Sequence, residues 1–170
     1  MIDVQKAYQY LCKQPSDINE HLSVLYEYGK KVNHITEFGV RSGISTIAFL
    51  YSKPQMMISY DINPCSFENF SQNFLFIQAD VLNIKIQQTD LLFIDTLHTY
   101  TQLSRELKLH ANQSKHFLIF HDTVTFGLIG QDRKKPGLIL AIDEFMVKNP
   151  WWQLIAQYKN NNGLTVLQRN

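Results

Sequence analysis

Ile35-Thr36-Glu37-Phe38-Gly39-Val40-Arg41-Ser42-Gly43-Ile44-Ser45-Thr46 reads as a short apolar strand that ends on a carboxylate, turns through two glycines and enters a helix. Gly39 and Gly43 let the backbone bend tightly and approach a ligand with no Cβ in the way. The helix starting near Ile44 directs its free N–H groups at the same place. A carboxylate at position 37 then has a use, attraction of the ammonium of an amino-acid moiety, for which a phosphate-binding loop has no need. The dinucleotide fingerprint Gly-x-Gly-x-x-Gly is absent.

From this turn outward, apolar runs too short for helices alternate with helical patterns, which indicates βαβ units and a parallel sheet. Strands are expected over residues 35–38, 57–61, 74–78, 91–95 and 117–121. Helices are expected over 44–51, 66–73 and 99–113, the last with Tyr100, Leu103, Leu107 and Ala111 on one stripe. A further helix carries Leu138, Ala141, Ile142, Phe145 and Met146, and Asn149-Pro150 stops it. Two β-rich runs then flank residues 159–163, Lys-Asn-Asn-Asn-Gly, which is hairpin chemistry. The first 32 residues or so read as helical, with Asp17 and Glu20 as a capping-box pair ahead of Ile18, Leu22, Leu25 and Tyr26. The expected fold is α/β: a Rossmann-like, doubly wound sheet of five parallel strands plus a C-terminal antiparallel hairpin, with the N-terminal helices packed on the edge.

With 170 residues and 45% hydrophobic content, the chain fits one domain with a sizeable core. Sixteen Lys and Arg against fifteen Asp and Glu leave no electrostatic footprint for a nucleic-acid backbone or an anionic membrane. Cys12 and Cys65 lie outside any CxxC or Cys/His spacing, so neither a disulfide framework nor a structural zinc is indicated. Without an apolar signal core or a run of about 20 apolar residues, a cytoplasmic location is expected.

Ligands of open parallel sheets bind beyond the carboxyl ends of the strands. Strand two ends on Asp61, 24 positions after Glu37, where a carboxylate can accept two ribose hydroxyls or cap a helix. Strand three is followed by Asp80, which can hold a base amino group or serve as a turn residue. Glu-x-Gly-x-x-x-Gly after a first strand, with Asp61 and Asp80 following in order, resembles class I S-adenosylmethionine-dependent methyltransferases. The resemblance implies that residues 1–170 form one S-adenosylmethionine-binding domain, with 1–32 as a helical extension. It implies cofactor contacts from Glu37, Gly39, Arg41, Ser42, Gly43 and Ser45, from Asp61 and Ile62, from Asp80 and Val81, and from Asp95.

Strands four and five end in Phe93-Ile94-Asp95-Thr96-Leu97-His98 and His121-Asp122-Thr123. Adjacent strand ends thus bring Asp95, His98, His121 and Asp122 to one crevice, a set able to hold a metal or move a proton. These segments resemble the macrocin O-methyltransferase and cephalosporin-hydroxylase-like branch, whose Ile-Asp-x-x-His and later acidic-Asp-Thr build a divalent-metal site. By that resemblance Asp95, His121 and Asp122 ligate Mg or Mn, and His98, together with Asp95, is catalytic, His98 as general base at an ordinary pKa near ~6.5. The chain departs from the branch at His121, where an acidic ligand is often found; imidazole suits transition metals better than Mg²⁺. His21, His34, His110 and His116 lack partners at ligand spacing and read as surface or structural. Asp132-Arg133-Lys134-Lys135 reads as a solvated loop or, if a lid, as one favouring an anionic acceptor.

The expected function is methyl transfer from S-adenosylmethionine to a hydroxyl of a sugar or small polar metabolite, with or without a metal. Two other readings stay open: a non-catalytic S-adenosylmethionine-binding domain working with a partner protein, and a metal-independent methyltransferase with another acceptor atom. A homo-oligomer is compatible with the small acceptor side; no nucleic-acid or membrane partner is expected.

Overall fold

The computed structural model describes residues 2–65 and 72–170. Seven strands form one sheet: β1 (His34–Phe38), β2 (Met56–Asp61), β3 (Phe74–Gln78), β4 (Thr89–Ile94), β5 (Ser114–His121), β6 (Trp152–Tyr158) and β7 (Leu164–Arg169), in the order β3-β2-β1-β4-β5-β7-β6. The first five run parallel, while β7 pairs antiparallel with both β5 and β6. This is the doubly wound sheet with a terminal antiparallel hairpin that the sequence predicts. The chain direction across the sheet reverses between β1 and β4, so their carboxyl ends border an open crevice.

Alternation along the central strands sends side chains to two layers. Ile35, Met57, Leu91, Phe93 and Ile119 face α2 (Leu22–Gly29) and α3 (Ile44–Tyr51); Ile58, Leu92, Ile94, Leu118 and Phe120 face α4 (Tyr100–His110) and α5 (Leu138–Lys148). Of the N-terminal helices, α2 packs into the first layer, while α1 (Val4–Leu11) has no buried residue. Leu22, Leu25 and Tyr28 of α2 are buried in the first layer, with the Tyr28 ring 5.2 Å from that of Phe117, and α1 stacks Tyr8 on Tyr51 at 4.5 Å.

The expected capping box does not form. A 3-10 turn, Asn19–His21, precedes α2 with Ile18 at its N-cap and no side-chain cap; Asp17 turns to Arg41 and Glu20 to Asn160. Long-range partners outcompete the local cap here, and Asn19 Oδ1 accepts instead from the Ser16 N–H. The helix expected over 66–73 falls at 66–71 outside the described residues. Among those described, no helix is long and apolar enough to cross a membrane.

Candidate active site

The turn after β1 is built against the end of β4. Gly39 has φ +85°, and a Cβ there would lie 1.9 Å from the carbonyl oxygen of Asp95, so only glycine permits this backbone approach. Gly43, at φ +74°, starts α3 with no side-chain cap, which leaves the first-turn amides without a side-chain acceptor.

Glu37 departs from its expected place. Its side chain points under α3, fully buried, and does not line the crevice: Ser45 Oγ (2.6 Å), Thr46 Oγ1 (2.7 Å) and Ser59 Oγ (2.6 Å) all donate to its carboxylate. Burial raises its pKa to about 7 against the pull of the three hydroxyls. Period-two alternation explains the correction, because a residue two positions from Ile35 shares its inward face. Glu37 ties β1, β2 and α3 together and cannot meet an ammonium directly.

A cavity of about 520 Å³ occupies the crevice, within the range of small-molecule sites. Gly39, Arg41, Ser42 and Ser45 of the turn line it, as do Asp61, Ile62, Asp80, Val81, Asp95 and His98; Gly43, His121 and Asp122 do not. Asp61 Oδ2 accepts from the amides of Val40 (2.8 Å) and Arg41 (3.1 Å), and its Oδ1 from that of Asn63 (2.8 Å). Burial raises its pKa, yet these backbone donors outweigh it and hold the carboxyl below the usual range. Asp80 caps the 3-10 turn Val81–Asn83 through Leu82 N–H (2.9 Å) and takes a bond from Asn83 (2.8 Å), so its turn role is realised at the cavity rim.

At the β4 and β5 ends the four expected residues do converge. His98 Nε2 lies 3.0 Å from Asp95 Oδ1 and 2.9 Å from Asp122 Oδ2. His121 Nδ1 is 3.5 and 3.6 Å from the same two oxygens, while its Nε2 faces the Asn161 carbonyl at 3.3 Å. Burial disfavours a charged His98, but the Asp122 and Asp95 carboxylates override it and push the pKa up to about 10. Asp95, though burial opposes it, is held well below the usual carboxylate range by the His121 and His98 rings that face it. In this arrangement His98 is an imidazolium at neutral pH, which corrects the expectation of a free base near its ordinary pKa. Asp122 stands at φ +61°, a left-handed conformation uncommon outside Asn, Asp and His.

Asp95, His121 and Asp122 each offer a ligand atom within 4.8 Å of the others, and His121 Nδ1 and Asp122 Oδ1 are buried with no hydrogen-bond partner among the described residues. The two carboxylates raise the His121 pKa against the pull of burial; as a neutral ring with Nε2–H on the carbonyl, it would offer its Nδ1 lone pair to a cation, the usual setting of a ligating histidine. The donor set fits a divalent cation, and the imidazole favours a transition metal over Mg²⁺.

Several neighbours escape the strand-end logic. Phe126 stacks on the His98 ring at 4.9 Å, and Gln131 Oε1 meets His98 Nδ1 at 3.0 Å, both from the long loop after β5. Glu106 is fully buried in α4; its Oε1 accepts from Thr96 (2.7 Å) and Gln102 (2.8 Å), two cavity-lining residues, and its Oε2 has no partner among the described residues. The helical spacing Leu103, Glu106, Leu107, His110 places that carboxyl on the buried face, a signal present in the sequence. The structural reading of His21 and His110 holds, since both are buried and donate Nε2–H to carbonyls.

No family model matches the chain, and no curated protein does. Solved structures do. A putative caffeoyl-CoA O-methyltransferase from Staphylococcus aureus aligns with TM-score 0.70 and 13% identity, over 100% of this chain and 93% of that one. An O-methyltransferase from Bacillus cereus, in complex with S-adenosylhomocysteine, aligns with TM-score 0.68 and 14% identity over 98% and 90%. The methyltransferase PaMTH1 from Podospora anserina, also bound to S-adenosylhomocysteine, gives 0.65 and 15% over 100% and 89%. At such identities the likeness is one of architecture, and the chain has the Rossmann-like methyltransferase fold.

Proposed function

We propose that this chain is a class I methyltransferase that binds S-adenosylmethionine in the 520 Å³ cavity and methylates a hydroxyl of a sugar or small polar metabolite. One observation carries the reading: the cavity at the β1/β4 reversal is continuous with Asp95 and His98, so a ligand-sized volume opens directly onto a charged reaction centre. The solved structures of the same fold that hold S-adenosylhomocysteine support the choice of cofactor. Arg41, Ser42 and Ser45 receive the amino-acid end, Asp61 the ribose, and Asp80 with Val81 and Ile62 the base. The finer kinship with the macrocin branch rests on Asp95, His98 and Asp122.

In the transfer, the acceptor oxygen forms a bond to the methyl carbon as the carbon–sulfur bond breaks. Sulfur keeps the electron pair and leaves as neutral S-adenosylhomocysteine, and the hydroxyl proton goes to a base. Positioning dominates such an in-line displacement. His98 holds its proton while Asp95 and Asp122 both face it; released from them, it gives that proton to solvent, and the vacated nitrogen takes the acceptor's proton. Asp95, Asp122 and His121 would hold a divalent cation, which supplies compensating charge to the carboxylates and Lewis acidity to the acceptor oxygen.

A metal-independent route is the second reading. It is favoured by His98 Nε2 lying within 3.0 Å of both carboxylates, where its positive charge already offsets part of theirs. Titration calorimetry with S-adenosylmethionine, S-adenosylhomocysteine and NAD⁺, each with and without Mn²⁺ or Mg²⁺, tests the proposal. Both sulfur nucleotides are expected to bind and NAD⁺ not; binding of neither sulfur nucleotide overturns it. Turnover unchanged in EDTA selects the metal-independent route.

A further inference from the structure

The amino-acid end of the cavity has a wall that no strand end supplies. Ile18, 3% exposed, lines the same cavity as Arg41 and Asp61, and the neighbouring Asp17 carboxylate pairs with the Arg41 guanidinium. Residues 16–21 therefore close over the turn after β1, although the segment contains little regular structure beyond one 3-10 turn. Beside internal hydrogen bonds from the Ser16, Ile18 and His21 amides, the segment is held by external ones.

Those come from the tip of the β6–β7 hairpin, about 140 residues away. Asn161 Nδ2 donates to the Ser16 carbonyl at 2.7 Å, and Asn161 Oδ1 accepts from the Glu20 N–H at 3.0 Å, so one side-chain amide bridges both ends of the segment. Asn160 reinforces it, with Nδ2 donating to Glu20 Oε2 at 2.6 Å and its carbonyl accepting from His21 Nε2 at 3.0 Å. The carbonyl of Asn161 accepts from His21 Nε2 at 3.1 Å and faces His121 Nε2 at 3.3 Å, which links the same residue to the reaction centre. Asn161 has φ +44°, a conformation that asparagine tolerates and glycine adopts freely.

We propose that residues 16–21 form the third wall of the cofactor site and that Asn161 is the positioning residue that holds this wall against the turn. The inference rests on the cofactor reading given above. It assigns to the hairpin tip a function beyond finishing the sheet: without the Asn161 amide, Ile18 and Asp17 lose their fixed place beside Arg41, and the cofactor's amino-acid end is left open on one side.

Asn161→Gly is the informative variant, because it removes the side-chain amide while suiting the backbone conformation. Two hydrogen bonds of ordinary strength are lost, so the Kd for S-adenosylhomocysteine measured by calorimetry should rise by about 10-fold or more. The KM for S-adenosylmethionine should rise with it, while kcat at saturating cofactor changes by less than about 2-fold. Native-state hydrogen exchange should show faster exchange of the Glu20 amide. Asp17→Asn, which weakens the other attachment, should shift Kd in the same direction. A Kd for Asn161→Gly within about 2-fold of wild type, whatever its melting temperature, overturns the inference, since a merely stabilising role moves only the latter. If the wild type itself binds no S-adenosylhomocysteine, the functional reading falls first. Exchange then decides the clamp alone, and unchanged protection of Glu20 in Asn161→Gly sinks it.

Discussion

The two ends of the crevice satisfy their charges in opposite ways. At the β1–β3 end, Asp61 is held by three backbone amides and Asp80 by an amide and an asparagine, and among the described residues neither has a salt bridge. At the β4–β5 end, Asp95, His98, His121 and Asp122 turn on one another, with both carboxylates within 3.0 Å of a single imidazole nitrogen. The first end is preorganised to receive neutral donors such as hydroxyls, and needs no rearrangement to do so. The second is self-neutralised, so any chemistry there must begin by breaking a contact the protein makes with itself. The difference predicts that binding and turnover can be separated by mutation.

The largest separation should come from His98→Asn. Loss of the proton-handling group is expected to reduce kcat by roughly 10²- to 10⁴-fold, while the Kd for S-adenosylhomocysteine changes by less than about 3-fold because the groups at the cofactor end are untouched. Single-turnover assays beside calorimetry check this, and a Kd that worsens in step with kcat would erase the distinction between the ends. Asp61→Ala should show the mirror image. Hydrogen bonds to a charged group contribute about 1.5–3 kcal/mol, so S-adenosylhomocysteine should bind about 10- to 100-fold more weakly, with kcat recovered at saturating cofactor.

The same contrast sets what was legible in the sequence. Strand ends, glycine turns and their acids are written in local periodicity, and so β1 to β5, the Gly39 and Gly43 turn, and the convergence of Asp95, His98, His121 and Asp122 were all expected from it. Side-chain direction was less so: Glu37 was placed at the right strand end but on the wrong face for a ligand, although its spacing from Ile35 carries that information. Protonation was not legible, because the shift of His98 depends on how closely Asp95 and Asp122 approach its ring, and local periodicity carries no such distance. Partners separated by some 140 residues, such as Asn161 with Ser16 and Glu20, leave no local trace, and the apparent cap at Asp17 and Glu20 misled for that reason.

Acid and base should dissect the self-neutralised end in the EDTA-treated protein. The pKa of His98 is raised from 6.5 to about 10 on folding. Its contribution to stability is therefore complete below about pH 6.5 and is lost as pH rises through about 10. Asp95 is depressed from 3.8, so its contribution is present above that value and disappears as pH falls below it. Thermal melts should show wild type exceeding His98→Asn by about 5 °C near pH 6.5, the gap closing to within about 2 °C by pH 10.5. A gap independent of pH would mean that His98 is not held as an imidazolium.

The smallest expected effect concerns a carboxyl that belongs to neither end. Glu106 and Glu37 are both fully buried, and burial raises both to about pH 7, but their hydrogen bonds differ. Hydroxyls donate to both oxygens of Glu37, whereas Glu106 Oε2 has no partner among the described residues. Unfolded, Glu106 ionises near 4.5; folded, it resists until about 7, so its stability is greatest at low pH and declines as pH rises through that interval. Glu106→Gln keeps an acceptor for Thr96 and Gln102 and removes the ionisation. It should melt with wild type at pH 5 and about 2–4 °C above it at pH 8. Glu37→Gln should instead melt lower at both pH values, because an amide nitrogen cannot accept the hydroxyl protons that its oxygen did. Equal behaviour of the two variants would show that burial alone, and not the hydrogen bonds around each carboxyl, decides how these acids act on the fold. Thr96 and Gln102 would then owe their places at the cavity to something other than Glu106.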